Sequence, residues 1–538
     1  MRLPIIVAVL SLALRAQADE THAGHVHSAG DPAELGKVSF KVACTPAGQK
    51  QFNLAVAMLH SFWYEESEKA FEKVLEVDSS CAMAAWGIAM SLYHPLWEPP
   101  KEAARVLSLL EKATSQAKTQ REKDYLAAIE LVYKDADTIP LAERAKLWEQ
   151  AMERLHRSYP NDLEATIFYA LALQATAPPT DKSYANQLRS GKLLEKVLPR
   201  TSRHPGVAHY IIHAYDYPAL APRALVAARA YAKIAPAAPH AQHMPSHIFT
   251  RLGLWQESIA SNLQVIATSK AYAERVEMHA TYDEQLHGMD YLAYAYLQLA
   301  RDDQARQVLD ELAGITKVYP ENFKTAYAFA AVPARYVLER RQWGDATALA
   351  VRPSKFPWTD AITHFARAYA LARANHLAEA KQSLEALTAI QKELVTKNKF
   401  WADHVEVQRR AAAAWIAHAE GRDKEAVELA RAAADLEDST EKHPVTPGAV
   451  VPARELLGEL LVEIGEYAPA LTSFETALAT APNRMGALYG AARAAEGAKQ
   501  PKKAEGYYRK ILAQAKGAQA GRAELAAANV FLARSSSP

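Results

Sequence analysis

From Pro46 to about residue 515 the chain is a succession of short amphipathic blocks. Within each block apolar residues recur at intervals of three and four, the spacing that puts them on one face of a helix. Pro, Gly, Asn and Asp punctuate the blocks, and no stretch shows the period of two that marks a half-buried strand. The pattern predicts an all-α chain of consecutive helical hairpins. Composition agrees: half of the residues are hydrophobic, and Gly is sparse at 21 of 538. A long chain of that kind suits an array in which each unit buries its apolar face on the next.

The blocks repeat. Leu457, Gly458, Leu461, Tyr467, Ala470, Phe474, Ala477 and Pro482 form one unit, and Ala491, Ala504, Tyr508 and Ile511 restate its frame 34 residues on. Leu54, Ala55, Tyr64, Ser67, Phe71 and Val74, followed by Trp86 and Gly87, do the same near the start. In the middle, Ala224, Ala228, Tyr231 and Pro236 recur loosely as Ser258, Asn262, Val265 and Lys270. On these residues the chain resembles the tetratricopeptide (TPR) family over most of 46–515. It looks most like large secreted bacterial members with stretches such as HSFWYEESEKAF, CAMAAWGIAMSLYHPLW, HMPSHIF and HPVTPG. The resemblance implies a right-handed TPR-type α-solenoid of about 11–12 helix pairs and a binding role, not a reaction. Some offsets depart from 34, such as 47 between Ser258 and Ala305, and imply longer helices or insertions.

The expected organisation is a signal peptide at 1–18, a polar lead-in at 19–45 and N-terminal repeats at 46–200. A histidine-rich centre follows at 201–300, further repeats at 301–450, well-matched repeats at 451–515, and a C-terminal helix and tail at 516–538. Arg2, the apolar run Leu3–Leu14 and Ala16-Gln17-Ala18 carry the signal reading. That apolar run is too short for a bilayer, which takes about 20 helical residues, so no integral span is expected after cleavage. The protein is therefore expected in the periplasm or outside the cell. There Cys44 and Cys81, the only two cysteines, are able to form a disulfide; two buried thiols are the alternative. A net charge of +1 with evenly spread signs offers no electrostatic footprint for nucleic acid.

Candidate chemistry concentrates in the centre. His209 and His213 form a His-x-x-x-His pair, and His243 and His247 form another 34 residues later. Eight of the 19 histidines fall between 204 and 287, and the stretches around the two pairs share little else beyond Pro205 and Pro239. In the TPR frame, helix positions 2, 5, 9, 12 and 13 face the concave side. His209 and His213 take positions 5 and 9, His240, His243 and His247 take 2, 5 and 9, and His287, Asp290 and Tyr294 take 2, 5 and 9 of the next repeat. Side chains four apart on a helix have Cβ atoms about 5–6 Å apart, so two pairs on adjacent helices would converge on one transition metal, Zn, Cu or Fe. His279, Asp283, His287 and Asp290, spaced by 4, 4 and 3, are expected to share a helical face as accessory ligands or acceptors. Pro245 complicates the second pair, because it either starts the helix or kinks it between His243 and His247.

Two further features have competing readings. Glu455, Glu459 and Glu463 form an acidic ladder at positions 5, 9 and 13 of the best repeat. It is either a groove for a basic peptide, with Tyr294 as a further contact, or a solvated face. His60 and His94, near Phe62, Trp63, Tyr64 and Trp97, look into the concavity or are hydrogen-bonded core residues. Gly-x-Ser-x-Gly, His-Glu-x-x-His, Walker and dinucleotide signatures are all missing. Three functions follow: an exported scaffold for a protein or peptide partner with a metal-lined groove, a metal-dependent hydrolase or oxidoreductase on the same solenoid, or a metal-free peptide-binding module.

Overall fold

Helix starts are specified locally. Thr45 precedes Pro46 and accepts a hydrogen bond from the Gly48 amide, opening the helix Pro46–His60. Thr119 with Glu122, and Asn322 with Thr325, form reciprocal capping boxes, while Asp162 and Asn398 cap two more helices with their side chains. Each such bond satisfies an amide that has no partner within its own helix. The computed structural model describes residues 32–518 and 521–535. The expected signal peptide and His22, His25 and His27 lie outside the described residues.

The described residues form an all-α solenoid of twenty-five α-helices. Its hairpins run from the pair Pro46–His60 and Tyr64–Val77 to the pair Met485–Gly497 and Pro501–Gln514, with Ala523–Ser535 as a terminal cap. In one hairpin the second helix is reduced to the 3₁₀ turn Trp343–Ala348. The only strands among the described residues are Thr281–Tyr282 and Val318–Tyr319, which pair in parallel. The repeat signature has a direct steric reason. A Cβ on Gly458 would lie 2.8 Å from the Phe474 ring, and one on Gly87 would lie 2.3 Å from Phe71, so glycine lets the two helices of a hairpin close around an aromatic plug.

Pro245 divides Pro239–His243 from Pro245–Arg251, but Met244 between them keeps helical torsions of −53° and −36°. One turn loses a backbone hydrogen bond while the helical path continues. His243 and His247 therefore stay on one face.

The lead-in expected at 19–45 is packed from Leu35 onward. Leu35 and Phe40 are buried, Phe40 sits edge-on to Phe52 and Trp86, and the Lys37 amide donates to the Arg203 carbonyl. Its apolar residues cover the open face of the first hairpins, which a polar lead-in would have left wet. Cys44 and Cys81 stand at disulfide distance with Cα atoms 4.8 Å apart. No described helix is long and apolar enough to cross a membrane.

One connection departs from simple stacking. Between the helices Asp423–Ser439 and Ala453–Glu463, residues 440–452 cross to the central repeats. Lys442 donates to Asp216 at 2.6 Å, Tyr291 donates to the Val445 carbonyl, and Arg335 donates to the Gly448 carbonyl at 2.9 Å. His443 stacks on Trp401. The HPVTPG stretch, His443–Gly448, thus belongs to a strap that ties the C-terminal repeats to the central ones.

Candidate metal centre

The helix Pro205–Tyr215 starts at Pro205, whose missing amide costs nothing at that position. Gly206 lets it approach the first hairpin, since a Cβ there would lie 2.4 Å from the His60 ring. That approach brings the His60 carbonyl to the Nδ1 of His209. A carbonyl only accepts, so Nδ1 of His209 carries the proton and Nε2 carries the lone pair. His213, one turn later, has its Nε2 3.0 Å from that of His209.

The broken helix 239–251 contributes three more imidazoles. Nδ1 of His243 donates to Oδ1 of Asn262 at 2.9 Å, and Nδ1 of His247 donates to Oδ2 of Asp216 at 3.0 Å. Their two Nε2 atoms, both carrying lone pairs, face each other at 3.0 Å. Two acceptors so placed repel unless a proton or cation lies between them. Burial opposes the proton: it pushes His243 well below the ordinary imidazole pKa and His247 down to about 4, despite the Asp216 carboxylate beside the latter. Nδ1 of His240 points at Glu284, 3.3 Å away, which leaves its buried Nε2 without a hydrogen-bond partner.

The donors fall into two groups rather than one. His209, His213 and His240 each offer a nitrogen within 4.8 Å of the others, as do His243, His247 and His287. None of the six residues is more than 9% exposed. The groups adjoin, with rings of His213 and His247 6.2 Å apart and those of His240 and His243 also 6.2 Å apart. The single convergence of four imidazoles expected from the repeat spacing is thus corrected. Each His-x-x-x-His pair recruits a third histidine from position 2 of the following repeat. His240 and His287 are members of the triads, not accessories.

Burial depresses His209, His213 and His287 as well, with neighbouring imidazoles adding to it, so these rings are neutral and able to ligate at ordinary pH. Four of the six have their Nδ1 directed at an acceptor: the His60 carbonyl, Glu284, Asn262 and Asp216. Such outer acceptors fix ring orientation and tautomer in histidine metal sites. With metal–nitrogen bonds of about 2.05 Å, two nitrogens 3.0 Å apart subtend an angle of about 94° at an ion, which suits neighbouring ligands.

The rest of the expected ligand set is placed elsewhere. His279 is exposed in the bend before Thr281–Tyr282, and the helix begins only at Asp283, so the four-residue stripe does not form. Lys324 claims Asp283 at 2.6 Å, and Asn322 donates to the same carboxylate. Asp290 is paired with the buried guanidinium of Arg335. Both aspartates are therefore taken by cations. On this helix the carboxylate that faces the histidines is Glu284, one residue off the predicted stripe. Burial works against its ionisation, but Lys324 and His240 outweigh that and hold it well below the usual range.

The acidic ladder is not a free groove, and the solvated-face reading holds only at its end: Glu455 and Glu459 are buried and Glu463 is exposed. Glu455 accepts from Arg484 at 2.8 Å, Glu459 accepts from Arg341, Arg373 and Tyr369, and Glu463 accepts from Arg373. Arg484 also donates to the Tyr294 hydroxyl at 2.7 Å, so that hydroxyl is engaged, although Tyr294 still lines a cavity of about 510 Å³. A basic peptide would have to displace the buried Arg484 and the half-buried Arg341 and Arg373. His94 is hydrogen-bonded to Glu98 and stacked on Tyr64, and His60 donates to Glu164, matching their core reading. Glu164 also receives His204, giving a third His/carboxylate group that sequence reasoning missed. Its three members are more than 100 residues apart in part (His60 to Glu164 is 104), so no local spacing announces them. Asp216 carried a visible signal, lying three residues after His213.

No family model and no curated protein matches the chain. Among solved structures, a human IFIT1 dimer with m7Gppp-AAAA is similar at 13% identity and a TM-score of 0.35, covering 81% of this chain and 90% of that one. The P58(IPK) TPR domain is similar at 13% identity and a TM-score of 0.21, covering 69% of this chain and 99% of that domain. Such scores describe chains whose full paths do not superpose, and the assignment stands on this chain's own hairpins. The architecture is TPR-type. Its centre holds clustered histidines.

Proposed function

We propose that this chain is an exported TPR-type scaffold that holds transition-metal ions, Zn, Cu or Fe, in two adjacent three-histidine sites. His209, His213 and His240 bind one ion, and His243, His247 and His287 bind the other. The observation that carries the reading is the pair of facing Nε2 lone pairs on His243 and His247, 3.0 Å apart with both Nδ1 protons committed elsewhere. A cation relieves that repulsion, whereas an extra proton is opposed by burial. The disulfide-distance cysteines support an oxidising compartment, and a protein partner fits the scaffold.

A metal-dependent enzyme is the second reading, favoured by a cavity of about 390 Å³ that touches His213 and Asp216. Three protein ligands leave a coordination position open, as catalytic zinc sites do.

The test is elemental analysis of untagged protein purified from its native compartment, and of protein reloaded with Zn, Cu or Fe. The expected result is two ions per chain, falling to one in His240→Ala or His287→Ala and to none in the His209→Ala, His243→Ala double variant. Metal-free parent protein that also refuses reloading removes the proposal.

A further inference from the structure

The two histidine triads share a seam. His213 and His240 of the first lie against His247 and His243 of the second, each pair with ring centres 6.2 Å apart. Both triads offer only neutral imidazoles, so two divalent ions held there bring four positive charges and meet no negative ligand. The charges around the seam decide what else must bind.

The carboxylates bonded to the triad rings are already matched. Asp216, behind His247, holds two cations, with Lys442 at 2.6 Å and Arg251 at 2.9 Å. Glu284, behind His240, shares Lys324 with Asp283, each at 2.6 Å. One group has a surplus cation and the other a surplus carboxylate, so together they add no net charge. Asp290 is paired with Arg335, and Glu164 is bonded to His60 and His204 rather than to a triad ring. Buried ions without a counter-charge are costly, so an anion from solution has to accompany them. Three protein nitrogens leave each ion a further coordination position, and across so narrow a seam a single anion fills both. Hydroxide is a ready candidate, because a bound divalent ion makes its water far more acidic.

The way in fits a small negative ligand. The cavity of about 390 Å³ that touches His213 also touches Lys442, so an ammonium stands beside the first triad. The six histidines are too deeply buried for more than a few atoms to come between them.

We propose that the two triads act as one dinuclear centre, in which a single small anion, hydroxide or one of similar size, bridges two divalent ions. The inference rests on the metal reading above and adds to it the pairing of the ions and the class of ligand they take.

The experiment loads the full chain with Cu(II), which binds nitrogen sites more tightly than its neighbours in the series. Copper is counted by elemental analysis, its spins by electron paramagnetic resonance, and azide by titration. We expect two copper ions per chain whose signal falls well short of two isolated spins, because a shared bridge couples them, and recovers in full after acid denaturation. One azide per two ions is expected. His240→Ala and His287→Ala each remove a ligand from a different triad. Each should retain one copper with an ordinary uncoupled signal and bind azide at least about ten-fold more weakly. Two copper ions with the full uncoupled signal, two azides per chain, no azide binding, or azide binding undiminished in both variants overturns the inference and leaves the two metal sites standing. Uptake of a single ion by the parent overturns it too, and uptake of none removes the metal reading as well.

Discussion

The central repeats and the C-terminal repeats bury polar residues at the same positions of the TPR frame, and they resolve the cost in opposite ways. In the C-terminal repeats Glu455 and Glu459 meet guanidinium groups. Arg484 lies between Glu455 and Glu339, at 2.8 and 2.7 Å, while Arg341 and Arg373 converge on Glu459. Every charge there has a counter-charge. In the central repeats imidazoles face imidazoles, and the carboxylates bonded to them among the described residues, Glu284 and Asp216, stand behind the rings on the Nδ1 side. One region is electrostatically complete without help, and the other has its lone pairs turned inward on one another. Burial by itself marks both stripes; what separates a packing network from a ligand site is whether the buried atoms already have partners.

That contrast breaks most visibly at Arg484. Arg484→Met leaves Glu455 and Glu339 buried without a cation, and we expect a loss of about 3–5 kcal/mol, read as a lower thermal midpoint with faster amide exchange across 453–463. A loss under about 1 kcal/mol would show that the carboxylates find other partners, and the contrast would collapse.

His243→Leu sharpens the other side. In metal-stripped protein it removes one of two opposed acceptors, and Ser246 still reaches Asn262 at 3.4 Å, so stability should stay within about 1 kcal/mol of the parent. With metal at 100 to 1,000 times its dissociation constant each occupied site adds about 3–4 kcal/mol to the parent, and the variant forfeits that amount with one site gone. A large loss in the stripped state would make the histidines structural.

The smallest effect is expected at Glu437, which leads into the strap and accepts from the Ala453 amide at 2.7 Å. Burial pushes its carboxyl up to about 7, from 4.5 in the open chain. Between those values the folded state holds a proton that the unfolded state has released, so stability falls as pH rises through that window. Glu437 is only half-buried, so solvent screens most of the roughly 3 kcal/mol that such a shift represents. Glu437→Gln should therefore raise the thermal midpoint at pH 8 by an amount corresponding to about 1 kcal/mol and change little at pH 4. An equal gain at both values would assign the effect to something other than titration.

The hairpins were legible because their determinants are local. A glycine across from Phe474, a threonine before Pro46 and a stripe of apolar residues all act within one repeat. The two His-x-x-x-His pairs were legible for the same reason, and position 2 of the frame pointed to His240 and His287. The charge partners were not. Lys324 reaches Asp283 and Glu284 across 40 residues or so, and Arg484 reaches Tyr294 across 190. No periodicity encodes such distances. That is why Asp283, Asp290 and the glutamate ladder read as available when they are spoken for. His279 failed for a local reason, since its stretch is a bend and the next helix begins only at Asp283.

The strap at 440–452 changes the mechanics of the molecule. A plain repeat stack touches only its neighbours and gives like a spring, loosening from either end. Here Lys442 on Asp216, Val445 on Tyr291, and the indole of Trp255 on the Asn483 carbonyl clasp turns of the coil that are 150 to 230 residues apart along the backbone. Such a coil cannot be drawn open at its middle without first unfastening the clasp, so whatever reaches the histidines must pass through the gaps it leaves.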